Sequence, residues 1–156
     1  MVSVMIKQII QEQYRSKIDQ LIDFKQISRP NEGWIRTLRK ALGMSSPQLA
    51  VRLGISKSQA SQMERMEVED RITLKQLRRV ADSLDCDLVY ALVPRKPVDE
   101  MIKDRALLKA SHLVNKTDVQ MKLEAQPLSP EKLKQHIKRE AERLVLEMPR
   151  DLWEDE

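Results

Sequence analysis

The sequence predicts a mainly α fold: a core of about four to five helices with one β-strand, carried between helical N- and C-terminal extensions. Apolar residues recur at three- and four-residue spacing through most of the 156 residues. Three glycines and 3% aromatics against 41% hydrophobic residues suit Leu and Ile packing between helices better than a sheet sandwich. One run, DLVYALV at residues 87–93, is rich in β-branched and aromatic side chains, lacks a helical stripe and stops at Pro94, which reads as a strand. A chain of this length holds one proper core plus arms. The division is residues 1–28, an N-terminal amphipathic helix; 29–94, a core domain ending in the strand; and 95–156, a C-terminal helical extension.

From Val4 to Ile27 the apolar positions Ile6, Ile10, Tyr14, Ile18, Leu21 and Phe24 alternate with charged and amide residues in a helical rhythm. That stripe either packs on the core or serves as a partner-binding arm. Arg29 and Pro30 end it, because a residue before proline is pushed out of helical geometry. Trp34 to Leu42 forms the next helix, with Ile35, Leu38 and Leu42 inward and Arg36 and Lys40 outward. Ser45 or Ser46 caps a further helix with Pro47 in its first turn, where a missing amide hydrogen costs nothing, and Leu49, Ala50 and Leu53 facing inward.

Gly54 ends that helix, since glycine tolerates the left-handed backbone of a sharp turn, and Ile55 follows as an apolar plug. Ser56 then caps a helix with Ala60 and Met63 on its buried side. Lys57, Ser58, Gln59, Ser61 and Gln62 are left to project outward. Short amides and hydroxyls with one lysine suit the edges of bases, so the two helices read as a helix-turn-helix whose second helix enters a DNA groove.

After Met66 the acidic EVED loop reaches Thr73, which caps a helix from Leu74 to Leu84 with Leu77, Val80, Ala81 and Leu84 inward. Lys75, Arg78 and Arg79 lie outside it, as a solvated face or as phosphate contacts. The strand residues Leu88, Val89, Tyr90, Ala91 and Leu92 have no second strand in the chain to pair with. An unpaired strand leaves its backbone donors and acceptors without partners, so a homodimer through this strand is expected. Its two-fold symmetry would match a palindromic operator in double-stranded DNA.

Val98 to about Leu123 reads as a helix, continuous or broken near Asn115, and AQPLSP as a linker. Ser129 and Pro130 open a last helix bearing Leu133, Ile137, Ala141, Leu144 and Met148 on one face. Pro149 stops it and leaves a tail with Trp153. From Ser129 onward six Lys or Arg face eight Asp or Glu, whereas Arg29 to Pro94 carries eleven against eight, so the terminal segment is the poorer DNA surface.

The net charge of +4 permits nucleic-acid binding without requiring it. A lone Cys86 provides neither a disulfide framework nor a cysteine-based zinc site, which implies a reducing cytoplasm. No run approaches the roughly eighteen apolar residues of a membrane span. His112 and His136 fall on separate helices and no Gly-rich phosphate loop is present, so no catalytic residues, metal or cofactor are expected and the chain does not read as an enzyme.

Met44 to Glu64 resembles the helix-turn-helix of the phage-repressor or xenobiotic-response-element family, with Ala50, Gly54 and Ile55 matching. The resemblance implies base contacts from Lys57, Ser58, Ser61 and Gln62, with Gln59 beside them. Ser46 stands where that family commonly has Gln, and Arg52 and Arg36 are weaker candidates for phosphate. It also implies a partly buried ion pair between Arg39 and Glu64.

Further out, RPNEGWIRTLRKALGMS, ITLKQLRRVADSLDCDLVYALVP and MPRDLW resemble the family called mobile mystery protein A. Its members are encoded beside a Fic-domain protein. This implies an antitoxin-like repressor with a Fic-domain partner, or an inhibitor of that partner for which the helix-turn-helix is mainly scaffold. The partner is expected on the segment from Ser129 to Glu156, with the N-terminal helix as the competing arm. Ser28 to Gly33 fits the loose pattern by which Fic-associated inhibitors present a glutamate, here Glu32, although Pro30 disfavours the helix that normally carries it.

Overall fold

A hydroxyl followed three residues later by glutamine starts three helices in succession. Ser45, Ser56 and Thr73 each accept a hydrogen bond from the backbone N–H of Gln48, Gln59 and Gln76, and each glutamine side chain accepts one back from the N–H of its cap. The computed structural model describes residues 1–124 and 128–155. Among these the α-helices are α1 (Val2–Asp19), α2 (Trp34–Ala41), α3 (Ser46–Leu53), α4 (Lys57–Val68), α5 (Leu74–Ser83), α6 (Val98–Leu123) and α7 (Pro130–Glu147), with a 3-10 segment at Gln20–Gln26. They form two compact units, Phe24–Ala91 and Met1–Asp23 with Leu92–Glu156.

In the Phe24–Ala91 unit, Ile35, Leu49, Leu53, Met63, Val80 and Leu84 form one core. Each such side chain contributes about 1.5–3 kcal/mol by leaving water. Of the two serines, Ser45 is the cap of α3 and Ser46 is its first helical residue. Gly54 closes α3 at φ +65°, a left-handed conformation, and the Ile55 N–H then bonds to Ala50 O at 3.0 Å. α4 runs past Met66 to Val68, so the first half of EVED is helix rather than loop.

In the other unit, α6 is continuous through Asn115 and packs on α7. Ala106 and Ala110 meet Ala141 and Leu144 in a core whose small residues permit close approach. The tail beyond Pro149 joins this core instead of hanging free. Leu152 is fully buried, Arg105 donates to its carbonyl at 2.7 Å and lies over the Trp153 ring, and Lys109 bonds the Asp151 carbonyl. The apolar stripe of α7 is thereby used within its own unit.

α1 differs. It meets α6 through Arg15 with Asp99 at 3.1 Å, and the Asp19 carboxylate accepts from the Val98 N–H at 2.9 Å, capping α6 from outside. None of its residues is buried, and Met5, Ile6, Ile9, Ile10 and Tyr14 face solvent. The helical geometry tightens after Asp19, so the single helix expected to Ile27 is α-helix followed by 3-10.

The expected strand is not formed. Leu88, Val89, Tyr90, Ala91 and Leu92 lie in a stretch without secondary structure, and no β-strand occurs among the described residues. A strand exists only as one side of a ladder, and residues 87–93 make no backbone hydrogen bond to other described backbone. Tyr90 instead lies under the Arg78 guanidinium at 5.9 Å, while Val89 and Leu92 are 79% and 88% exposed. The linker reading of residues 125–130 falls in part on 125–127, and the expected arm ends on Glu156; both lie outside the described residues. No helix among the described residues is long and apolar enough to cross a membrane.

Candidate nucleic-acid interface

α4 has two unlike faces. Ala60, Met63, Glu64 and Glu67 are buried, whereas Lys57, Ser58, Gln59, Gln62 and Arg65 are exposed and Ser61 is half-buried. The two carboxylates on the inner face require partners, because a charge taken out of water costs several kcal/mol unless it is neutralised and hydrogen-bonded.

Glu64, 4% exposed, finds them in α2. Arg39 donates from Nε to Oε1 at 2.5 Å and from Nη2 to Oε2 at 3.3 Å, and its Nη1 reaches Met44 O at 3.0 Å. The hydrogen bond to Glu64 raises the Arg39 pKa above the ordinary arginine range, against the opposing effect of burial. A raised pKa gives stability that is present below the ordinary value and lost only above it, so the pair is not a switch near neutral pH. Arg36 adds a bond from Nε to Glu64 Oε2 at 3.2 Å while remaining 48% exposed.

Glu67, 3% exposed, is held by backbone. Its two oxygens accept from the N–H groups of Trp34 at 2.8 Å and Ile35 at 2.9 Å, the unsatisfied first-turn donors of α2. Gly33 makes room for this. It sits at φ +86°, and a Cβ there would stand 2.9 Å from Glu67 Oε1. Arg29 then donates to Glu67 O at 2.7 Å and pairs with Asp70 at 2.6 Å, closing the end of α4.

Ser46 and Ser61 are brought together, with 3.3 Å between their hydroxyl oxygens, tying the first turn of α3 to α4. Lys57, Ser58 and Gln62 stand on the open face. The Gln59 carbonyl oxygen is committed to the Ser56 N–H at 3.0 Å and the Arg52 guanidinium to Ser83 O at 2.9 Å. Arg36 is drawn to Glu64. Five of the candidates for DNA contact, Ser46, Ser61, Gln59, Arg52 and Arg36, therefore have structural partners that their sequence positions did not disclose. Glu32 lies in the turn before α2, not on a helix, and its hydrogen bond with Lys40 holds its carboxyl below the usual range.

Glu67, Gly33 and Arg29 were missed by sequence reasoning. The available signal was spacing. Glu67 falls three residues after Glu64 and four after Met63, on the core stripe of α4, and a charge there calls for a partner.

Arg39→Ala strands Glu64 with only the half-exposed Arg36, so it should cost about 3–5 kcal/mol, as for a broken buried pair. Arg36→Ala should cost about 0–1 kcal/mol, as for an exposed one. Denaturant unfolding of the two variants checks the ranking.

The helix-turn-helix family model matches residues 35–90. No curated protein and no solved structure matches the chain. The matched span runs from the second residue of α2 to Tyr90 and takes in Glu64, Glu67 and the whole open face of α4, so residues 35–90 form a helix-turn-helix domain of the Xre type.

Proposed function

We propose that this chain is a DNA-binding transcription regulator of the cytoplasm, without enzymatic activity, and that α4 is the helix that enters the major groove. The observation that carries this reading is the helix-turn-helix domain at residues 35–90, whose second helix turns Ser58, Ser61, Gln62 and Lys57 away from the core. Hydroxyls, an amide and a lysine meet the donor and acceptor pattern of base edges, and the phosphates require positive charge nearby. Repression follows as the simplest consequence of occupying an operator.

The operator is proposed to be two-fold symmetric and read by a homodimer. Support comes from the unpaired backbone of residues 87–93, which a second copy would satisfy by pairing antiparallel across Leu88 to Leu92. Sedimentation of a Val89→Pro variant tests this, and a dimer left intact places the interface elsewhere.

The resemblance to the mobile mystery protein A family supports an antitoxin-like role toward a neighbouring Fic-domain protein. The apolar stripe of α7 is spent on α6, whereas that of α1 is open, so α1 replaces the C-terminal segment as the proposed arm. Co-purification of that neighbour with full-length chain, but not after Ile6→Asp and Ile10→Asp, supports the arm, and equal recovery removes it.

The DNA reading itself is tested with Lys57→Ala combined with Gln62→Ala. Loss of a good base contact should cost about 1–3 kcal/mol on selected DNA and relax discrimination at one base pair, with little change on scrambled DNA. Equal relative affinity for the two DNAs in variant and wild type would remove this reading surface and favour the helix-turn-helix as scaffold for a protein-interaction inhibitor.

A further inference from the structure

Every arginine in the Phe24–Ala91 unit but one has a partner. Arg29, Arg36, Arg39 and Arg71 pair with carboxylates, Arg52 and Arg79 bond helix-end carbonyls, and Arg78 lies over Tyr90. Of these arginines the Arg65 side chain alone has no ion pair, hydrogen bond or ring contact with another described residue, and it is exposed. The acidic residues one before it and one turn after it are already taken. Glu64 is turned inward to Arg39, and Glu69, one turn on, pairs with Arg71 at 3.0 Å.

Its place on the helix is as informative as its freedom. At 3.6 residues per turn Arg65 stands about 20° around the axis from Ser58, about 40° from Ser61 and about 60° from Gln62, in the middle of the open face. Lys57 stands about 80° away, at the edge of that face. From Ser58 to Arg65 the axis rises about 10 Å, or about three base-pair steps. A cation at the centre of the face of a groove-bound helix points at bases. A guanidinium in that position presents the planar fork that matches O6 and N7 of guanine.

We propose that Arg65 is a specificity-determining residue that reads a guanine in the major groove, about three base pairs from the pair met by Ser58. The inference rests on the reading of α4 as the DNA-contacting helix. Because Arg65 supports no internal contact, replacing it leaves the fold intact, which an unchanged unfolding midpoint verifies.

The experiment is selection of binding sites from a random duplex pool with the full chain as wild type, Arg65→Ala and Arg65→Lys. The expected result is a wild-type motif with one guanine whose preference vanishes in Arg65→Ala, together with about a 5- to 150-fold loss on the wild-type motif. Arg65→Lys should recover charge but not the preference, since lysine lacks the fork. A uniform loss on all sequences, with the salt dependence reduced by about one counterion, would make Arg65 a phosphate contact and overturn the proposal. So would identical motifs from all three proteins, which leaves DNA binding by the chain standing. A wild-type chain that enriches no sequence and binds no duplex would instead remove the DNA reading, and this inference with it.

Discussion

Two buried carboxylates on the inner face of α4 set the geometry of the helix-turn-helix domain. Glu64 is fixed by Arg39 and Glu67 by the first-turn amides of α2, so both ionised groups find their compensation on a single neighbouring helix. Rotating α4 about its axis would expose Met63 and Ala60 and pull both carboxylates from their donors. The energetic penalty for that is several kcal/mol per stranded charge. Fixing the inner face fixes the outer one, which is how Ser58, Gln62 and Arg65 come to share one open stripe.

The turn between α3 and α4 was legible because its determinants are local. A hydroxyl cap, proline in the first turn, glycine in the left-handed position and an apolar plug act within a few residues of one another, and each can be read off the sequence. Glu67 was not legible as a cap, because its partners are the amides of residues more than thirty positions away. Its surroundings in EVED also look like solvated loop. The same limit applies to Arg36 and Arg52, whose internal acceptors, Glu64 and Ser83 O, come from other helices. Residues 88–92 show the converse: side-chain composition favours a strand, but a ladder needs a second backbone, and none is supplied among the described residues.

In the unit of α1, α6 and α7, amphipathic patterning identified helices correctly but did not say which stripes would be covered. The stripe of α7 is closed by α6, and Leu152 returns from beyond Pro149 to complete the same core. α1 is held by an ion pair and a capping carboxylate while its apolar side chains remain in water. Contiguous exposed apolar surface of that kind marks an interaction site more often than an ordinary monomer surface. Periodicity records that a helix has an apolar face; burial depends on what the rest of the chain brings to it.

The docking of α4 on α2 is tested most directly by amide hydrogen exchange at Trp34 and Ile35. First-turn helix amides have no intrahelical acceptor and ordinarily exchange freely, but here each is bonded to Glu67. Both amides should be strongly protected in the native protein and lose that protection selectively in Glu67→Ala, under conditions where α3 and α5 remain protected. Rapid exchange at both positions in the native protein, at the rate of an unbonded solvent-exposed amide, would contradict this docking.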